Sequence, residues 1–407
     1  MTGTTRVSTA EQVVLGLGSC LDYEIVWDAG VLQGLVDRYG ITLAEAQRSV
    51  PVRTERDLVC SVLGFLREGA GGERFVESSE VVEAFAGRFD HRITLGGSNV
   101  RAAIALSRLG LACSLHLVSI DDHVRRLLPA DVPYLCSASG DSTDPHLIVQ
   151  FPAGAQVQVE SVAVRAPRAN RLIYVNDPPN REMVLSPELG RMLERAQVFL
   201  ISGFNTVQDP ATLRARLAEL REHVRHLPPG AVVVFEDAGY HVPGMSEIVR
   251  QSLVDVIDIY GLNEDELQDL IGHPVDLLDA AELQQALAEL RRRIRAGTIV
   301  VHSQYWCLAL GQDSERYRAA LESATAMAAT RYLHGDAFTA QDFDRVGVNP
   351  RHPGGVAVVR ALEAALPGEV CGVAAFCPQT STPTMVGLGD AFVGGFIAGL
   401  ITARRAR

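Results

Sequence analysis

Val386-Gly387-Leu388-Gly389-Asp390-Ala391-Phe392-Val393-Gly394-Gly395-Phe396 is the stretch from which the rest of the chain can be read. An apolar run ends near residue 376, a loop follows, and the pattern after Asp390 continues as an apolar helix towards Leu400. Gly387 and Gly389 leave the backbone amides around Leu388 free to turn towards a ligand, and a helix N-terminus adds roughly half a positive charge. The turn is therefore suited to an anion. A carboxylate in the first helical turn beside that anion can take the proton of an attacking hydroxyl. The same four residues are also an ordinary tight turn with an acidic helix start, and a bare GxGD does not separate the two readings.

Working outward, short apolar runs alternate with amphipathic helical stretches from about residue 95 onward. Runs at 111–119, 198–202, 231–235, 254–260, 298–302 and 370–376 read as strands. Between them, 211–226 lines up Leu213, Leu217 and Leu220 on one face. Residues 279–297 repeat the pattern behind Asp279, an N-cap type, with Gly297 as a stop. Strands alternating with helices predict an α/β domain built on a mainly parallel sheet. Segments 22–26 and 145–175 are strand-like but break the rhythm. Inserted at separate points, they predict a small discontinuous β lid on a three-layer α/β sandwich. The expected division assigns 1–18, 88–142 and 186–407 to the large domain and 19–87 and 143–185 to the lid. Turn signals fall at 228–230 and at 349–355, the latter expected to cross the surface.

The chain's 407 residues suffice for one large and one smaller core, and 47% hydrophobic against 21% charged residues describes a globular protein. A formal charge of −12 argues against a nucleic-acid partner, whose phosphates require a basic surface. No stretch approaches the roughly eighteen uncharged apolar residues of a membrane span. The first dozen residues lack a basic and an apolar region, so a cytoplasmic location is expected. The seven cysteines, at 20, 60, 113, 136, 307, 371 and 377, form no CxxC pair and read as reduced core thiols, not as disulfides or a zinc site. Every one of the 37 basic residues is arginine. Without lysine, a P-loop GxxxxGK[ST], a protein-kinase strand lysine and Schiff-base chemistry are excluded. Any phosphate must be handled by backbone amides, arginine and a metal.

The string GDAFVGGF resembles the C-terminal signature of the ribokinase superfamily of carbohydrate and nucleoside kinases. A second stretch, 95–110 (LGGSNVRAAIALSRLG), resembles its N-terminal glycine pair and small-residue helix, in the proper order nearly 300 residues upstream. Within the superfamily the chain is most similar to the ADP-dependent glucokinase and phosphofructokinase branch. Residues 166–173 (APRANRLI), 201–205 (ISGFN), 261–267 (GLNEDEL) and 387–390 (GLGD) carry that likeness. The resemblance implies a phosphotransferase of carbohydrate metabolism with a sugar-like acceptor, ADP or ATP as donor, and Mg²⁺.

It also implies roles. Asp390 would be the general base, with Gly387, Leu388 and Gly389 against the nucleotide phosphates. Glu236 matches the glutamate of an HxE motif, and Asn263 and Glu266 match an NxxE motif that organises magnesium. Asp22, Gly96, Gly97 and Ser98 would meet the sugar, and Glu73 resembles a glucose-contacting glutamate. His302 matches a strand-end histidine near the nucleotide. Arg168 and Arg171 would reach phosphate from the lid, a task that suits the planar guanidinium.

Each has a structural alternative: a solvated loop for Glu73, an exposed helical turn for Glu264 and Glu266, a surface salt bridge for the arginines, a capped core histidine for His302. The chain departs from the branch at Val234, where HxE has histidine, at Met385 before the glycine turn, and at Gly18 and Cys20, where NxNxD has asparagines. Those departures point to an altered acceptor: a modified sugar, an amino sugar or a cyclitol. Two other readings stay open, an ATP-dependent kinase of a nucleoside or sugar phosphate and a sugar-binding module without catalysis. The sequence leaves the oligomeric state undetermined.

Overall fold

The computed structural model describes residues 13–380 and 383–405. The first dozen residues, read above for a targeting signal and as the start of the large domain, lie outside the described residues. The strands, in chain order, are β1 (Val13–Leu15), β2 (Cys20–Ile25), β3 (Gly72–Phe75), β4 (His91–Gly96), β5 (Ser114–Leu117) and β6 (Tyr134–Cys136). They continue with β7 (His146–Phe151), β8 (Gln156–Val159), β9 (Val162–Arg165), β10 (Asn170–Val175) and β11 (Val198–Ile201). The last are β12 (Val232–Glu236), β13 (Ile259–Asn263), β14 (Thr298–His302), β15 (Trp306–Gly311) and β16 (Val370–Ala374).

Nine of them form one sheet, ordered β16-β15-β14-β13-β12-β11-β1-β5-β6. It is parallel except at β15, which runs against both its neighbours. From β1 the order grows in both directions, so the strand order reverses beside β1, the place where open α/β sheets bind ligands past the carboxyl ends of their strands. Two buried clusters cover its faces, one built around Phe199, Phe235 and Trp306, the other around Leu115, Phe392 and Phe396. A second sheet, ordered β3-β10-β7-β2-β4, has its own core around Phe85, Phe151 and Tyr174. Helices Ala29–Tyr39, Glu55–Glu68 and Ser79–Ala86 contribute to that core, so the second body is α/β and not strands alone.

Four helices position the site: α1 (Ser98–Arg108), α2 (Glu264–Ile271), α3 (Arg318–His334) and α4 (Leu388–Arg405). Helix α4 packs between α1 and α3, and its glycines make this possible. A Cβ on Gly394 would sit 2.9 Å from Ala102 Cα, and one on Gly395 2.6 Å from Met327 Cβ. On Gly399 it would sit 2.5 Å from Ala320 Cα. The Gly-Gly of GDAFVGGF is a helix-packing device that brings backbones together.

Several predicted elements shift. The run 254–260 is mostly turn; the strand is Ile259–Asn263, because Asp258 turns back to accept the Val233 amide at 2.8 Å and Val254 is exposed. Helix 279–297 ends at Arg293, where Ile294 turns extended and buried, with Asp279 the N-cap as expected. Strand β15, WCLALG, is fully buried and was not predicted, since its small residues give no alternation. Residues 353–365 begin a helix at Pro353 within the expected 349–355 turn, and Arg351 there stacks on Phe376.

Candidate active site

The carboxyl ends of the central strands bring three of the expected site residues together. Glu236, Asn263 and His302 are the last residues of β12, β13 and β14. Asn263 and His302 are register partners, as are Glu236 and Gly261. Gly261 has no side chain for a clear reason: a Cβ there would lie 2.1 Å from Glu236 Oε2. His302 Nε2 lies 3.0 Å from Glu236 Oε1, and the imidazole stacks on Phe392 at 4.5 Å. Its Cε1 would also be 3.3 Å from a Cβ on Gly389. His302 is thus wedged between the glycine turn and Glu236.

Asn263 and Glu266 form a capping box for α2. The Asn263 side chain accepts from the Asp265 and Glu266 amides, while Glu266 accepts from the Asn263 amide at 2.7 Å and its side-chain Nδ2 at 2.8 Å. Burial raises the pKa of Glu236 against the relief that His302 offers. Burial raises Glu266 well above the usual carboxylate value, and the charges of Glu236 and Asp237 add to it. Burial also pushes Asp237 up to about 6. His302 moves upward because Glu236 outweighs the cost of burying its charge. Among the described residues no arginine pairs with Glu236 or Glu266. Two half-buried carboxylates lacking a guanidinium fit a hard divalent ion.

Across the glycine turn lies a cluster of the opposite design. Asp390, in the first turn of α4, accepts a 2.7 Å hydrogen bond from Ser98 Oγ. Its other oxygen is 3.4 Å from Arg101 Nε. The Arg101 side chain is 2% exposed and is shared among four carboxylates: Asp22 at 2.7 Å, Asp390, Asp336 at 3.8 Å and Glu24 at 3.9 Å. Burial opposes the guanidinium charge, but these acids, Asp22 first, more than offset it and hold the charge in place. Gly387 adopts φ 69°, and a Cβ there would come within 2.6 Å of Arg101 Cδ, so glycine is required twice over. Arg331, also buried, donates to the Val386 carbonyl at 2.9 Å and pairs with Asp336, anchoring the turn from α3.

Arg101 is the residue that sequence reading missed. It sat inside the quoted 95–110 helix, an arginine among alanines with no apparent purpose, and that contradiction of the apolar pattern was its only signal.

The remaining residues divide. Gly97 opens α1 at φ 95°, and Gly96 faces Asp22 and Cys20; a Cβ on Gly96 would lie 2.4 Å from Cys20 Sγ. At Gly18 a Cβ would meet Asn180 Oδ1 at 2.2 Å, so an amide from helix Pro178–Glu182 fills the space at one of the two positions where the strand lacks asparagine. Glu73 lies on β3, not in a loop, and its Oε1 is 3.1 Å from His241 Nε2 beyond β12, linking the second sheet to the first. Arg168 donates to the Gly69 carbonyl at 2.9 Å and stays exposed, as does Arg171. Neither contacts the Asp390 turn among the described residues. All seven cysteines are free of disulfides, four of them buried. No helix among the described residues is long and apolar enough to cross a membrane.

Residues 11–348 match the ADP-specific phosphofructokinase/glucokinase conserved region. The glycine turn and Asp390 lie beyond the matched stretch. No curated protein sequence matches the chain. A phosphofructokinase from Pyrococcus horikoshii OT3, crystallised with AMP, is 16% identical over 98% of this chain and 99% of its own, with a TM-score of 0.75. The last common ancestor of ADP-dependent phosphofructokinases from Methanosarcinales is 14% identical over 97% and 94%, with a TM-score of 0.72. An ADP-dependent kinase in complex with fructose-6-phosphate and ADPbetaS is likewise 14% identical over 96% and 94%, with a TM-score of 0.72. At such identities these likenesses speak for the ribokinase-like fold, a large mainly parallel sheet with a smaller second one. Taken with a conserved-region match over most of its length, they mean that the chain belongs to the ADP-specific phosphofructokinase/glucokinase family.

Proposed function

We propose that the protein transfers a phosphoryl group from ADP, giving AMP, to a hydroxyl of a sugar or sugar-like acceptor, with Asp390 as general base. The observation that carries this is the placement of Asp390. It sits at a helix start behind two glycines, with one oxygen held by Ser98 and the other facing a buried guanidinium. Arg101 balances the carboxylate's charge and fixes its second oxygen until an acceptor hydroxyl displaces Ser98 and gives up its proton to Oδ1. The amides of 387–390 and the α4 N-terminus would then offset the charge of the moving group.

Glu236, Asn263 and Glu266 would organise Mg²⁺, which supplies positive charge to the diphosphate. His302, packed on Gly389, would position the glycine turn. The segments 19–87 and 143–185 act as a lid over 1–18, 88–142 and 186–407, with Glu73 and His241 where the two meet and Asp22 beneath the acceptor. Closure would exclude water, the competing acceptor. Arg168 and Arg171 are left as phosphate contacts of the open lid edge. A similar ADP-dependent kinase in complex with fructose-6-phosphate supports a sugar acceptor, while Cys20 beside Asp22 favours a modified one.

The test is phosphoryl transfer with Mg²⁺, comparing ADP and ATP across glucose, fructose 6-phosphate, glucosamine and cyclitols, with Asp390→Ala as control. AMP formed only with ADP and one acceptor, and absent in the variant, is the expected result. Turnover with ATP alone would reassign the donor, and tight sugar binding without turnover would replace the enzyme by a binding module.

A further inference from the structure

Beneath the acceptor side of the crevice, three different donor atoms converge. Cys20 and Asp22 lie two apart on β2 and so share one face of the second sheet; His146 is the register partner of Asp22 on the parallel neighbour β7. Cys20 Sγ is 3.6 Å from Asp22 Oδ1, and His146 Nδ1 is 3.9 Å from the same oxygen. All three donor atoms lie within 4.8 Å of one another. In a tetrahedral zinc site with Zn–S of about 2.3 Å and Zn–N or Zn–O of about 2.0 Å, donor atoms stand roughly 3.3–3.6 Å apart. The Sγ–Oδ1 edge matches the roughly 3.5 Å of such a site, while the Nδ1–Oδ1 edge exceeds its expected value of roughly 3.3 Å by about 0.6 Å, a gap that the imidazole would close on moving towards a shared ion.

The surroundings are organised for the same purpose. The other histidine nitrogen, Nε2, is 3.0 Å from Asp177 Oδ2. Asp177 is 2% exposed and is itself held by the Asn180 amide at 3.0 Å and the Asn180 side chain at 2.6 Å. A carboxylate gripping the far nitrogen directs the Nδ1 lone pair at the cluster, as the outer partners of zinc-bound histidines do. Gly96 keeps the space beside Cys20 Sγ and both Asp22 oxygens free of any side chain. Among the described residues the one guanidinium paired with Asp22 is that of Arg101, which takes Oδ2 and is divided among three further carboxylates, leaving Oδ1 to the cluster.

We propose that Cys20 Sγ, Asp22 Oδ1 and His146 Nδ1 bind one Zn²⁺, with Asp177 as the positioning residue behind His146 and the fourth position left to an oxygen ligand. Thiolate, imidazole and carboxylate together select zinc over magnesium, which prefers oxygen throughout. Binding replaces the thiol proton of Cys20, which leaves to solvent, by a Zn–S bond. No CxxC spacing announces the site because its ligands come from adjacent strands. It stands on these contacts alone and not on the kinase reading.

The test uses the full chain, stripped with a chelator and titrated with Zn²⁺ against a chromophoric competitor, without nucleotide or sugar. One equivalent should bind. Cys20→Ser and His146→Gln should weaken it by about a hundredfold or more, Asp177→Asn by about 10–100-fold, and Cys136→Ser not at all. Co²⁺ in place of Zn²⁺ should give a thiolate-to-metal charge-transfer band that Cys20→Ser abolishes. Should that variant not fold, the wild-type cobalt spectrum decides. A stripped wild-type chain that takes up no Zn²⁺, or a Co²⁺ complex lacking the thiolate band, overturns the proposal and leaves Cys20 a hydrogen-bonded core thiol.

Discussion

The two acidic clusters flanking the Gly387–Gly389 turn are built from similar parts and neutralised in different ways. On the Asp390 side, four carboxylates share the buried guanidinium of Arg101, a permanent cation supplied by the fold. On the Glu236 side, Glu236 and Glu266 have between them one histidine and a capping box, and burial drives both carboxyls towards protonation. An internal counter-charge balances and orients its carboxylates before any ligand arrives. A missing one leaves a place that an incoming cation completes. Burying charge is tolerable only when it is paired, so each arrangement states what its carboxylates await.

The contrast breaks most visibly at Asp390. Asp390→Asn should lower kcat by about 10²–10⁴-fold while leaving the melting temperature nearly unchanged, because the amide keeps the Ser98 contact. Turnover that survives would show that the cluster next to Arg101 holds no base. Arg101→Met comes next: leaving four carboxylates without their shared partner should cost about 3–5 kcal/mol in denaturant unfolding. A loss under about 1 kcal/mol would mean that the acids simply take up protons.

The Glu236 side is sharpened by pH. Glu236, Glu266 and Asp237 all have raised folded-state pKa values, that of Asp237 about 6, so the fold holds more protons than the unfolded chain just above the usual carboxylate range. Stability of the metal-free protein therefore falls as pH rises from about 4 through about 6. Mg²⁺, which binds the ionised forms, should raise the melting temperature more at about pH 7.5 than at about pH 5, and Glu236→Gln should flatten that difference. An equal gain at both values would separate Mg²⁺ from these carboxylates. The smallest effect belongs to Glu73→Gln, which touches neither cluster. Its partly exposed contact with His241 should be worth less than about 1 kcal/mol, and the variant should show a raised acceptor KM at unchanged kcat. A fall in kcat alone would assign Glu73 to closure.

Much of this contrast was legible along the chain. The glycine turn, the helix after it, and the strands leading to Glu236 and His302 follow from apolar periodicity and from glycine, which marks backbone that must turn or approach closely, whereas the run 254–260 stops short of the strand end that carries Asn263. Strand β15 escaped because Cys307, Ala309 and Gly311 look like nothing in particular until strands pack on both sides of them. A loop stood as the structural alternative for Glu73 because four residues opening behind a run of glycines carry too little alternation to mark a strand.

What the residue pattern alone determined is the α/β class, a glycine turn with a carboxylate at the helix start behind it, and the exclusion of lysine chemistry, since each rests on local backbone preference or on a residue type being absent. What only the tertiary structure decided is which charges face one another. Arg101 lies 79 residues from Asp22 yet bonds it directly, and Ser98 lies 292 residues from Asp390. His146 reaches Cys20 only because β7 pairs with β2. Pairings of that kind depend on strand order and helix packing, and local sequence carries no record of either, because the energy that selects them comes from burying distant segments together.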